Sequence, residues 1–68
     1  MTIGSQVKQT IASLKGARST LESFVAIEKN DEAVEIMRRN VTRIGNTISD
    51  MEKRLGELEF EEPQYKGF

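Results

Sequence analysis

The sequence predicts an all-α protein, an antiparallel two-helix hairpin that self-associates, most simply into a four-helix bundle. The first observation is a run of eight apolar residues separated by alternating steps of three and four. Such an a/d heptad seam keeps facing one direction only if its segment is a single helix lying against other helices. The seam consists of Val34, Met37, Val41, Ile44, Ile48, Met51, Leu55 and Leu58.

The second observation is the small size of the chain, which has 68 residues and neither cysteine nor histidine. A domain of this length seldom buries enough apolar surface to be stable alone, and disulfides and zinc sites are common remedies. A disulfide cannot form without cysteine, and the usual zinc ligands are missing as well. Association of the hairpin with copies of itself is the remaining common device. We therefore expect a homo-oligomer, with a dimer favoured, and assign the seam to the interface.

The first helix is predicted over residues 3–28. Thr2 or Ser5 can accept a hydrogen bond from a free amide of the first turn, so the helix should begin after one of them. Its Gly16 is either a point of close helix approach or a tolerated glycine. Apolar residues at helical spacing give it an inward face. That face is Val7, Ile11, Leu14, Ala17, Leu21, Phe24 and Val25.

Residues 29–31 form the predicted turn, and the second helix follows over residues 31–60. Asn30 is a favourable N-cap, and acidic residues after it suit the positive end of the helix dipole. Glu35 with Arg39, and Asp50 with Arg54, are spaced for ion pairs along one helix. Residues 61–68 form an acidic, aromatic tail, so that residues 1–68 make a single helical hairpin domain.

Gly45 and Asn46 conflict with a continuous second helix because together they form a typical stop signal. Thr47, with Asp50 three residues later, resembles a weakened capping box, and this alternative gives three shorter helices. The seam, however, keeps its phase through this segment, which a turn would disrupt. We therefore predict one continuous helix with Gly45 as a close-contact position beside the seam.

The composition gives little support for catalysis. Ten basic and eleven acidic residues nearly balance, and without histidine or cysteine the common arrangements that activate a serine or supply a thiol nucleophile cannot form. We expect no enzyme activity, no cofactor and no metal site. No apolar run is long enough to span a membrane and the N-terminus does not resemble a signal peptide, so the expected location is cytoplasmic.

Arg38, Arg39 and Arg43 form the only compact basic cluster. A phosphate could bind there, so the alternative function is a ligand- or nucleic-acid-binding module. Glu35 partly neutralises the cluster and no aromatic residues are interleaved with it. A solvated helix face is the favoured interpretation, and no nucleic acid is expected as a partner.

The C-terminal tail contains more aromatic rings than a helical core requires. The rings either fold back over the end of the bundle or act as a docking peptide for another protein, with acidic residues adding specificity. The possible docking residues are Phe60, Glu61, Glu62, Pro63, Tyr65 and Phe68.

Several segments of the chain resemble a known family. They are residues 1–10 (MTIGSQVKQT), residues 13–17 (SLKGA), Leu21 and Glu22 with Phe24, and residues 61–67 (EEPQYKG). The chain resembles family 1657 among the domains of unknown function, small proteins of endospore-forming Firmicutes. Some members are encoded beside the stage V sporulation proteins that move calcium dipicolinate and beside a spore inner-membrane protein. The resemblance implies a cytosolic, sporulation-associated protein, in the forespore or spore interior, and supplies no catalytic motif.

Overall fold

The chain folds into two antiparallel α-helices in the computed structural model, which describes residues 3–61. Helix α1 spans Ile3–Ile27 and helix α2 spans Asp31–Glu61. The helices run in opposite directions, since Lys8 near the start of α1 contacts Glu59 near the end of α2. No strand occurs within the described residues. The prediction of an all-α hairpin is confirmed.

The turn between the helices is closed by side chains on both sides of it. The Glu28 carboxylate accepts hydrogen bonds from the amides of Lys29 (2.9 Å) and Asn30 (3.0 Å). The Asn30 side-chain oxygen accepts a hydrogen bond from the Ala33 amide at 3.0 Å. This is the N-cap geometry that satisfies a free amide of the first turn, so the predicted cap at Asn30 is confirmed.

The start of α1 differs from one of the two predicted possibilities. The helix is already formed at Ile3, and Ser5 lies buried within its first turns. Ser5 is therefore not the N-cap, because a cap residue precedes the helical residues. Thr2, the other candidate, lies outside the described residues.

Helix α2 continues without a break through Gly45 and Asn46. The alternative of three shorter helices is wrong, because the heptad seam outweighs a local stop signal that costs only about 1 kcal/mol in propensity. Gly45 is partly buried, and a β-carbon built on it would lie 3.7 Å from the Arg18 guanidinium. Around Gly16, by contrast, a β-carbon would meet nothing within 4 Å. Within the hairpin, Gly16 is thus a tolerated glycine and not a point of helix contact.

Both predicted ion pairs are present on the surface of α2. The guanidinium of Arg39 lies 3.5 Å from the Glu35 carboxylate, and that of Arg54 lies 2.9 Å from Asp50. Both pairs have the predicted spacing of four residues. Exposed pairs of this kind contribute about 0.3–0.5 kcal/mol each.

The core of the hairpin is very small. Only Ile11 and Ile48, which are 6% and 2% exposed, are buried apolar side chains among the described residues. Helix α2 does not cover two positions of the predicted inward face of α1, because Ala17 is exposed and Phe24 is 51% exposed. One neighbouring helix covers only a narrow stripe, and these two residues lie beyond its edge.

Candidate interaction face

Each helix can be assigned its own heptad lettering, abcdefg. The letters show which residues lie on the same side of the hairpin. Ile11 and Ile48 occupy a positions, and the letters of the other residues follow from them. Around a helix, the e position lies on one side of a, and the d and g positions lie on the other. The two sides of the hairpin can therefore be compared position by position.

The a positions face the other helix of the hairpin. Three of the eight a positions, Gly4, Ile11 and Ile48, are buried. The seven d positions are all only partly buried, so contact between α1 and α2 covers them incompletely. These d residues are Val7, Leu14, Leu21, Met37, Ile44, Met51 and Leu58.

Charged residues concentrate on the e side, which we call the ionic edge. Its members are Lys8, Lys15 and Glu22 in α1 and Asp31, Arg38, Gly45, Glu52 and Glu59 in α2. The Lys8 ammonium lies 3.3 Å from the Glu59 carboxylate, and the Lys15 ammonium lies 3.2 Å from Glu52. Basic residues of α1 thus pair with acidic residues in the last turns of α2 along this edge.

The opposite side, which we call the open face, consists of the d and g positions of both helices. Its g positions are Ile3, Thr10, Ala17 and Phe24 in α1 and Ala33, Asn40, Thr47, Arg54 and Glu61 in α2. Of the sixteen residues on this face only Arg54 and Glu61, the last residue of α2, are charged. A groove of about 260 Å³ opens on the same side, and apart from Arg54 it is lined by apolar residues. The lining residues are Val7, Met51, Arg54, Leu55 and Leu58.

A second groove, of about 430 Å³, lies on the ionic edge near the turn. Its polar lining is one carboxylate, one guanidinium and one hydroxyl, from Glu22, Arg38 and Thr42. The Thr42 hydroxyl already donates to the Arg38 carbonyl oxygen at 3.2 Å. The groove offers no nucleophile paired with a base. Within residues 3–61, no three acidic side chains are grouped so that they could hold a metal ion.

The predicted basic cluster is divided between two surfaces. Arg38 occupies an e position on the ionic edge, whereas Arg39 and Arg43 lie on the outer side of α2. Arg39 is engaged by Glu35 at 3.5 Å. The three guanidinium groups therefore do not share one face of the helix.

The eight predicted seam residues occupy the a and d positions of α2. Ile48 is buried and the other seven are partly buried. Their orientation towards α1 accounts for this burial within a single chain. That they also contact a second copy stays a prediction.

Of the predicted docking residues, the structure describes the side chain of Phe60 alone. Phe60 is 88% exposed, so its ring does not fold back onto the hairpin. Helix α2 ends at Glu61. Glu62, Pro63, Tyr65 and Phe68 lie outside the described residues.

Arg18 is an interhelical residue that the sequence reasoning missed. It occupies the a position between Ile11 and Val25, is partly buried, and places its guanidinium over Gly45. The signal was its spacing of seven residues from each of those neighbours. A long aliphatic stem allows arginine to occupy such a position while its charge reaches the rim.

Neither helix within residues 3–61 contains a stretch that is long and apolar enough to cross a lipid bilayer. No curated protein and no solved structure gives a significant match to the chain. One family profile does match, that of a protein of unknown function (DUF1657), over residues 7–55. The match covers most of both helices, whereas the terminal segments of the noted resemblance lie largely outside it. Because it spans well over half of the sequence, the chain belongs to the DUF1657 family.

Proposed function

We propose that this protein is a non-enzymatic helical interaction module that works as a homo-oligomer, most simply as a dimer with four helices. The observation that carries the proposal is the mismatch between the apolar content of the hairpin and its core. Fifteen a and d positions run along the two helices, yet only two apolar side chains among the described residues are buried. Four-helix bundles bury such positions by adding a second pair of helices.

The size of the chain supports the same conclusion. Domains of fewer than about 70–80 residues rarely gain more than 3–5 kcal/mol from a single core, and disulfides, metals or oligomerisation usually add the rest. This chain contains no cysteine or histidine. Oligomerisation is therefore the remaining common source of added stability for this chain.

Light scattering coupled to size-exclusion chromatography tests the proposal directly. We expect a mass of twice the chain's 7.7 kDa at high concentration. Because folding is coupled to association, the midpoint of thermal unfolding should rise with protein concentration. A well-folded species of monomer mass at every concentration would contradict the proposal.

We further propose that the module acts in sporulation, in the cytoplasm of the forespore or spore interior, as a structural accessory. This step rests on the family resemblance alone. An antibody against the chain should detect it in purified spores, and not in growing cells, of an endospore-forming host that encodes it. Equal amounts in spores and in growing cells would contradict a role in sporulation, but would not bear on the proposed self-association.

The C-terminal segment is proposed as a docking site for another protein. The exposed ring of Phe60 supports this, because a large apolar side chain at a surface often marks an interaction site. A chain that ends at Glu59 should keep its mass and helicity while losing salt-insensitive binding to that partner. The basic cluster is the weaker candidate, since Glu35 engages Arg39 and Glu22 lines the same groove as Arg38.

A further inference from the structure

We propose that the second copy of the chain seats on the open face, and not on the ionic edge. This inference rests on the proposed self-association and specifies its interface. The occupant is a second identical hairpin, which brings its own open face against the first. A two-fold axis relates such partners, so the same surface is used on both.

The first argument is the difference in charge between the two sides. The open face has two charged residues among sixteen, Arg54 and the last residue of α2, Glu61, and the Arg54 guanidinium is already paired with the Asp50 carboxylate at 2.9 Å. The ionic edge contains seven charged residues among its eight positions. Because a two-fold axis sets a surface against its own copy, a surface with few charges can be buried with less risk of bringing like charges together.

The second argument is that each neutral polar side chain of the open face already donates a hydrogen bond within its own helix. The hydroxyls of Thr10 and Thr47 donate to the carbonyl oxygens of Gln6 and Arg43, each at 3.0 Å. The Asn40 side-chain amide donates to the Ile36 carbonyl oxygen, also at 3.0 Å. Burial is costly mainly for polar groups that lack a partner. A second copy can therefore cover the two threonine hydroxyls without leaving their donors unpaired. At Asn40, one N–H and the side-chain oxygen need a polar partner from the second copy.

The third argument is the apolar surface that a second copy would cover. Ile3 and Phe24 occupy g positions on α1 and are 50% and 51% exposed. Between them lies Ala17, an exposed small residue near the middle of α1, where a neighbouring helix can approach closely. The predicted inward face of α1 includes Ala17 and Phe24, which the hairpin alone does not cover. A second hairpin on the open face would enclose both.

A matched pair of charge substitutions separates the two faces. Ala17 lies on the open face, whereas Ala26 lines the groove on the ionic edge, and both are exposed alanines of α1. Ala17→Glu should shift the oligomer towards monomer, lowering the mass in light scattering about twofold for a dimer. Ala26→Glu should leave the mass unchanged, since Glu at that site stays in water.

A second measurement does not depend on the fold of a monomeric variant. The chain contains no cysteine, so Ala17→Cys and Ala26→Cys each introduce a single thiol. Alkylation by a maleimide should be several-fold slower for Ala17→Cys in concentrated protein than in dilute protein. The rate for Ala26→Cys should not change with concentration.

The outcomes distinguish the interface from the proposed function. If the wild-type chain is an oligomer and Ala26→Cys is the protected thiol, the interface is the ionic edge and this inference is wrong. An oligomer in which neither thiol is protected also overturns it. A wild-type monomer at all concentrations would instead refute the self-association on which it rests.

Discussion

Helices α1 and α2 pack against each other, but their solvent-facing surfaces differ in charge. Helix α2 carries eight acidic and five basic residues in 31 positions, whereas α1 carries one acidic and three basic residues in 25. The α1 charges occupy a and e positions, so its outer surface consists of uncharged residues such as Ser13, Gly16 and Thr20. A charged outer surface fixes which side of α2 faces the core, and α1 has no such constraint.

The largest expected effect comes from charging the buried a position of α2. Ile48→Asp should destabilise the fold by about 3–5 kcal/mol and abolish helicity, because it places an unpaired carboxylate in the core. Far-UV circular dichroism with urea unfolding measures both. Ile11→Asp should do the same in α1, since the two side chains form one small core.

The control for this substitution is Ile36→Asp. Ile36 occupies a c position on the outer side of α2 and is 54% exposed. The carboxylate there stays hydrated, so helicity and oligomer mass should be retained. An Ile48→Asp variant with native helicity would show that the a row of α2 is not the core.

A d position of α2 should respond differently from an a position. Ile44 is only partly buried by α1, so Ile44→Asp should reduce the oligomer to monomer and lower helicity as a consequence. Light scattering and circular dichroism at matched concentrations provide the measurement. An Ile44→Asp variant of unchanged mass and helicity would show that the d positions of α2 are not part of the interface.

The difference between the helices also explains what could be predicted. In α2 the heptad spacing is unbroken and charges flank it, so its inward row, its N-cap and its continuity through Gly45 could be inferred. In α1, the uncharged outer surface leaves the edge of the apolar stripe undefined, so the sequence did not indicate that α2 would leave Ala17 and Phe24 uncovered. Arg18 was overlooked because a charged residue was not expected in an apolar row.

The N-cap of α2 offers a test of intermediate size. Asn30→Ala should lower the free energy of unfolding by about 1 kcal/mol, because the Ala33 amide loses its acceptor. Asn46→Ala, at an exposed site inside α2, should be neutral or slightly stabilising, since alanine favours helix. Urea unfolding of both variants decides whether the cap, and not the loss of any asparagine, causes the effect.

Replacing one glycine in each helix with alanine compares a site that contacts the other helix with one that does not. Gly45→Ala should stabilise the hairpin by up to about 1 kcal/mol, since the new methyl group makes ordinary contact with Arg18. Gly16→Ala should stabilise it similarly, because nothing lies within 4 Å of that position in the hairpin. If Gly16→Ala instead destabilises the oligomer, we would infer that the uncharged outer surface of α1 contacts the second copy.

The smallest effects should come from the ion pairs that join the two helices. The Lys15–Glu52 side chains are each 50% exposed, whereas those of Lys8 and Glu59 are 29% and 22% exposed. Lys15→Ala should therefore lower the free energy of unfolding by less than about 0.5 kcal/mol, and Lys8→Ala by somewhat more. Added salt should reduce the difference between Lys15→Ala and wild type, because exposed charges are screened. Equal losses of several kcal/mol in both variants would mean that the ionic edge is buried in the assembly, and would contradict the assignment of the interface to the open face.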